Sequence, residues 1–478
     1  MTTHRSFVVS PSDPVFKVED SDPTATPATD FYRFVNGGWI DRNPVPLEYG
    51  AWGAIQEIHQ QNEEILGELL SAVAEDVDAA PGTAESWVGA YYRSGIDSDL
   101  IEALGITPIQ PLLDRITGIN TIADIAPLVA DLHRIGVGAL FDVGVMPDFE
   151  DTSINLLYFG QSGLGLPDRD YYLRDDDTSL ELLADYRMHV ETMFRLLGSD
   201  DPGSAAATVL DIETEIATVS YTNVQLRDVE LVTNKRTADA LASAMPTFGL
   251  PAYLDGLGTA TVQTMSIDNE AFYPAIDAML TSTPMASWQT YFTWHLIRAT
   301  ASSLPSAFDE ASFAFYGTKL GGQKEQKARW KRVLAAASGD IGQLVGQVYV
   351  RDNFPPEAKT DMEHLVDRLF VAMRDAINDA TWMGDTTRAE ALAKLDGFGY
   401  KIGYPDEWRD YSGLELSDTT WLANRLEASR FEFDRRARTI GEPIDPNEWS
   451  MPPHMVNAYY SPLRNEIVFP AGILQAPF

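Results

Sequence analysis

Three features predict a mainly α-helical chain that closes on a β-hairpin. They are its globular composition, the three- and four-residue spacing of apolar side chains, and two β-rich runs around a polar turn near the C-terminus. The 478 residues exceed the roughly 100–200 of a single domain, so two domains or one large interleaved one are expected. With 45% hydrophobic and 10% aromatic residues, the chain has enough apolar material for a sizeable core.

Along the chain, residues 1–29 read as an irregular lead whose prolines discourage helix, and a polar break runs from Glu75 to Gly82. β-formers at Ala139–Val145 and Ile154–Phe159 flank an acidic turn and predict a hairpin. Val209, Ile212, Ile216 and Val219 place one apolar stripe on a helix, and Met362, Leu365, Val366, Leu369 and Met373 do the same. Thr387-x-x-Glu390 ahead of an apolar run fits a capping box at a helix start. At the end, Val456–Tyr460 and Glu466–Phe469, joined by Ser461–Asn465, predict the terminal hairpin. The last residues, Ile467 to Phe478, are almost wholly apolar. Chain ends are normally polar, so this stretch predicts a patch awaiting cover and a chain cut before its partner elements.

Charge and composition exclude several functions. A formal net charge of −36 repels phosphate backbones and anionic lipid, so neither nucleic acid nor a membrane is an expected partner. With no cysteine, disulfides, thiol nucleophiles and cysteine-held metals are excluded. No apolar run reaches the ~18–20 residues of a membrane helix, and residues 1–14 lack a secretory pattern, so the cytoplasm is the expected compartment.

Common catalytic signatures are missing from these residues. The histidines, at positions 4, 59, 133, 189, 295, 364 and 454, never fall within a helical turn of one another, so no H-E-x-x-H zinc pair is present. Each reads as a surface or hydrogen-bonded core histidine, with His454 beside the terminal hairpin the one to follow. No phosphate loop, dinucleotide fingerprint or nucleophile elbow occurs. Asp175–Asp177 suggests the opening of a calcium loop, but Leu180 and Tyr186 stand where its glycine and glutamate belong, so a solvated acidic loop is expected.

Several strings resemble the neprilysin-like zinc metallopeptidase family. Asp30-Phe-Tyr-Arg-Phe-Val-Asn-Gly-Gly-Trp39 is similar to that family's opening signature. Tyr91–Asp97, Gln161–Tyr172, Arg227-Asp228, Arg329–Lys331, Gly346–Val350, Trp382-Met383 and Lys401–Pro405 follow in the family's order. The most specific match is Val456-Asn-Ala-Tyr-Tyr460 through Arg464–Gln475.

The resemblance implies a large helical capping domain over residues 30–380 and, over 381–478, an incomplete thermolysin-like α+β catalytic domain ending in the β-hairpin. In the family, a chamber between the two parts admits oligopeptide substrates. There the H-E-x-x-H helix and a later glutamate ligand follow the segment matched by this C-terminus. Two histidines on one helix face hold zinc and the glutamate between them takes a proton from metal-bound water. Zinc is therefore expected for the complete family member and none for this chain alone, with the missing C-terminal catalytic segment as its partner. The resemblance makes the chain the peptide-substrate part of a metalloendopeptidase, inactive by itself; the alternatives are a non-catalytic peptide-binding relative or a helical interaction scaffold.

Four residues carry the implied substrate contacts. Asn457 and Ala458 match a strand against which substrate pairs as an added antiparallel strand, with the Asn457 carboxamide offering a donor and an acceptor. Without the family, an ordinary hairpin strand is the simpler reading. Ile473 and Phe478 match positions lining an apolar pocket, and plain core is an equal alternative. Neprilysin itself uses arginines to grip a free C-terminal carboxylate, whereas the matching positions here are Glu48 and Gln56. An endopeptidase indifferent to free C-termini is therefore expected.

Overall fold

The computed structural model describes residues 17–475. Their contacts divide the chain into two compact units interleaved in sequence: residues 89–320 with 410–446, and residues up to 88 with 321–409 and 447 onward. The boundary expected near residue 380 lies inside the second of these, at the end of a helix.

The unit built from residues 89–320 and 410–446 is helical around a four-stranded sheet. Strands β1 (Phe141–Pro147) and β2 (Asn155–Gln161) form the expected acidic-turn hairpin, in register from Phe141↔Gln161 to Pro147↔Asn155. Strand β3 (Asn234–Thr237) pairs with β4 (Thr264–Ile267), and β4 runs parallel to β2, giving the order β1-β2-β4-β3. The expected stripe at 209–219 lies on the helix Pro202–Val219, where Val209, Ile212 and Ile216 are buried. That helix starts where Asp201 accepts a bond from Ser204 N (3.0 Å) and Pro202, which lacks an N–H, takes the first turn. The neighbouring helix Asp177–Leu197 is capped by Asp176 and stops at Gly198, whose φ of 86° is left-handed. Asp175 and Asp176 are exposed and non-helical, as the expected solvated acidic loop requires, but Asp177 is already the first helical residue.

The carboxyl group of Glu213 is fully buried in this core. Glu213 accepts from Tyr186 (2.7 Å), Tyr172 (2.9 Å) and Trp294 Nε1 (3.2 Å). Bonds from three donors offset the cost of burying so polar a group.

The other unit holds the helices Phe31–Arg42, Ala54–Glu75, Arg329–Asp340, Gly342–Asn353, Pro356–Asp379 and Asp385–Asp396. Ala54–Glu75 buries Leu66, Leu70 and Val73, and its Gly67 lets the Trp330 ring approach the backbone: a Cβ there would meet the ring at 2.5 Å. Beside these helices lies a three-stranded sheet of β5 (Gly399–Gly403), β6 (Tyr459–Ser461) and β7 (Glu466–Pro470), in the order β5-β7-β6.

This unit departs from expectation in several places. The terminal hairpin is present, but β6 begins at Tyr459 rather than Val456, because Val456 is buried in the preceding loop. Strand β7 is central, parallel to β5 and antiparallel to β6, so the hairpin is covered on its β7 side and open along β6. Val468, Pro470 and Ala471 are accordingly buried, so the described part of the apolar end is largely covered.

The uncovered apolar surface lies elsewhere. The 362–373 stripe is on a helix as expected, but only Val366 is buried within Pro356–Asp379; Leu365 is 42%, Leu369 57% and Met373 54% exposed. Trp382, just beyond, is 81% exposed. The next helix starts at Asp385, ahead of the expected capping box, with Gly384 at its N-cap.

Candidate peptide-binding edge

Strand β6 occupies an edge of the three-stranded sheet, so one row of its backbone groups is not used within that sheet. Tyr459↔Val468, Tyr460↔Ile467 and Ser461↔Glu466 set its register on β7. The connection turns through Asn465, which adopts a left-handed φ of 50° and donates from Nδ2 to Lys394 O (3.0 Å). Its carbonyl accepts from Gly399 N (2.9 Å), joining the turn to the start of β5.

Asn457 and Ala458 stand immediately before this edge strand. Asn457 is exposed and Ala458 half-buried; Asn457 Oδ1 accepts from Ala458 N at 2.8 Å. That bond orients the carboxamide, and its Nδ2 keeps the donors with which the side chain can address a peptide carbonyl. Ile473 is half-buried in the turn after β7, its N–H donating to Pro470 O (3.3 Å). Phe478 lies outside the described residues.

Beneath the edge the sheet is held by a buried ion pair. Lys401 on β5 and Glu466 on β7 approach to 2.7 Å, with side chains 11% and 9% exposed. Lys401 also donates to Glu448 O (2.9 Å), as does Arg464 (3.1 Å), while the Glu448 carboxylate pairs with Arg409 (2.7 Å). The sequence gives no warning of this network, because nothing in a linear pattern links residues 401, 448 and 466.

His454, the histidine beside the terminal hairpin, lies in the core. It is buried, its Nε2 lies 2.9 Å from Ser338 Oγ, and burial pushes its imidazole down to about 3, so the ring is neutral. Among the described residues no three His, Cys, Asp or Glu side chains converge as a metal-holding group.

The two positions without an expected arginine are both described. Gln56 is half-buried near the start of the helix Ala54–Glu75, and Glu48 is ion-paired with the nearly buried Lys331. Close to Glu48, Lys327 pairs with Glu63 (2.8 Å) and lies 4.6 Å from the Tyr49 ring centroid, and Tyr49 donates to Glu63 (3.2 Å). Burial and these carboxylates push the Tyr49 phenol up.

Fold and edge together define a mainly helical chain with a small three-stranded sheet whose edge strand is β6. The model for peptidase family M13 matches residues 27–405. Endothelin-converting enzyme 1 of Rattus norvegicus is 30% identical over 479 residues, covering 96% of this chain and 62% of that protein. The Homo sapiens protein of that name is also 30% identical, with 61% of its length covered. Among solved structures, the Mycobacterium tuberculosis zinc metalloprotease ZMP1 bound to an inhibitor superposes with a TM-score of 0.91 at 33% identity, over 97% of this chain and 70% of that one. PepO from Lactobacillus rhamnosis shares the fold, with a TM-score of 0.86 at 23% identity over 97% and 72%.

The chain belongs to peptidase family M13, the neprilysin-like zinc metallopeptidases. It spans about 62% of the length of the curated relatives it matches. No helix among the described residues is long and apolar enough to cross a membrane.

Proposed function

We propose that this chain is the peptide-binding portion of a neprilysin-like zinc endopeptidase, receiving oligopeptide main chain along the β6 edge through Asn457 and Ala458. The observation that carries the reading is the edge position of β6, with an exposed carboxamide directly before it. A substrate strand added there would use backbone hydrogen bonds for affinity and the Asn457 side chain for alignment. Ile473 and Phe478 would contribute apolar contacts to the substrate.

Hydrolysis in this reading requires zinc ligands outside residues 1–478, in a portion corresponding to the further length of the relatives. The exposed stripe of Leu365, Leu369 and Met373, and the exposed Trp382 further along the chain, support a missing cover of that kind, since contiguous apolar faces are normally buried. Residues 381–478 would then form part of the catalytic domain and 30–380 the cap. The net charge of −36 keeps nucleic acid and anionic membranes out of the proposed partners, and the cytoplasm is the proposed compartment.

Calorimetry with an acetylated and amidated alanine-rich hexapeptide tests the edge reading. Binding that weakens on Asn457→Ala by ~0.5–1.5 kcal/mol supports it. Equal affinity in both proteins overturns it.

A further inference from the structure

The loop before the edge, residues 451–456, is fastened at every turn to its own unit. Gln343 Nε2 donates to Met451 O (3.4 Å). Pro452 packs on Gly342, where a Cβ would come within 2.6 Å of the proline ring, and Pro453 packs in the same way on Gly346. Gly472, just past β7, donates its N–H to Pro453 O (2.9 Å).

His454 is held twice. Its ring meets Ser338 Oγ at 2.9 Å, and its carbonyl accepts from the buried Asn62 Nδ2 at 2.7 Å across 392 positions of sequence. Val456 is buried next, and the chain then emerges at the exposed Asn457. A buried amide donor on a buried carbonyl leaves the backbone little freedom to slide, because breaking it strands both groups without water.

We propose that Asn62 and His454 are positioning residues that latch the start of the substrate-binding edge, fixing the register in which Asn457 and Ala458 meet peptide. This rests on the edge reading above and deepens it: Asn62 touches no substrate and acts through the His454 carbonyl, three residues upstream of Asn457. A latch of this kind lowers the ordering cost of binding, so its loss appears in affinity.

The test uses the whole 478-residue chain, its Asn62→Leu and Ser338→Ala variants, and Asn457→Ala as reference. Two quantities are read: hydrogen exchange of amides 455–461, and the Kd for acetyl-Ala-Ala-Phe-Leu-Ala-Ala-amide. Asn62→Leu keeps the branched shape and heavy-atom count and removes the donor; Ser338→Ala loosens the ring and spares the helix. Exchange over 455–461 is expected to quicken by about 3- to 10-fold in each, with a matching rise in Kd and unchanged exchange in the helix Asp177–Leu197. Unchanged exchange at 455–461 in both variants overturns the latch. Quickened exchange with unchanged Kd, while Asn457→Ala still weakens binding, overturns the positioning role alone. No binding by the unaltered protein overturns the edge reading, and with it the role assigned to Asn62.

Discussion

Lys401 on β5 and Glu466 on β7 form a 2.7 Å ion pair in a nearly water-free setting, linking two parallel strands from distant parts of the sequence. Each is further tied into the Glu448 network or the sheet, so neither can leave without exposing the other as an unpaired charge. Removing one member of such a pair costs about 3–5 kcal/mol, whereas replacing both with apolar side chains is close to neutral. Denaturant unfolding followed in this unit should therefore show Glu466→Gln strongly destabilised and Lys401→Met/Glu466→Leu restored to near the starting value. Equal losses in single and double variants would show that the pair is not coupled.

The exposed stripe on Pro356–Asp379 gives a second expectation. Leu369 and Met373 are more than half exposed, so Leu369→Lys with Met373→Glu should change stability by no more than about 0.5 kcal/mol each. The same variant should bind less of a hydrophobic fluorescent dye and self-associate less. A large loss of stability would mean that the stripe is already packed in solution.

Acid should destabilise the protein between pH 6.5 and about 4. Burial pushes His454 down to about 3 and His189 down to about 4, and it lowers His133 and His295 as well. The folded state therefore holds these rings neutral while the unfolded chain takes up protons below about pH 6.5. The histidine contribution is complete above that pH and falls as pH drops, by about 1.4 kcal/mol per unit for each of His454 and His189 down to about pH 4. His189, stacked 5.1 Å from Phe315, offers the clean test: His189→Leu should flatten the pH slope by that amount, whatever it does to stability at pH 7. An unaltered slope would contradict the burial of its neutral form.

In the proposed peptidase, Glu48 would bear on specificity. Its carboxylate is committed to Lys331, and it cannot offer a charge-assisted bond to a substrate carboxylate. In a form of the enzyme completed with zinc, matched peptides with free and amidated C-termini should be cut at rates within about threefold, since a true carboxylate clamp contributes ~1.5–3 kcal/mol. A tenfold advantage for the free acid would show that another cation takes the role.

What the sequence reveals follows the range of the interactions. The 209–219 stripe and the two hairpins are legible because their signals are local: helical spacing, β-formers and a turn. β5 is hidden, since a parallel partner needs no turn and Gly399–Gly403 carries two glycines. Val456 looks like the first residue of a strand by propensity, but packing of the loop claims it and delays β6 to Tyr459. The stripe at 362–373 announces a helix correctly and misleads about burial, because periodicity identifies an apolar face and not what covers it. Asn62 is invisible for a simpler reason: its hydrogen bond reaches 392 positions away. Asn457 and Ala458 emerge only from the family resemblance, as a short loop before an edge strand carries no signal of its own.

The most direct measurement pairs zinc stoichiometry with peptide hydrolysis, for the 478-residue chain alone and for the chain joined to the further portion present in an M13 relative. Expected are no stoichiometric zinc and no cleavage from the chain alone, and both from the joined protein, with cleavage weakened by Asn457→Ala. One equivalent of zinc and unaided cleavage by the chain alone would contradict the assignment.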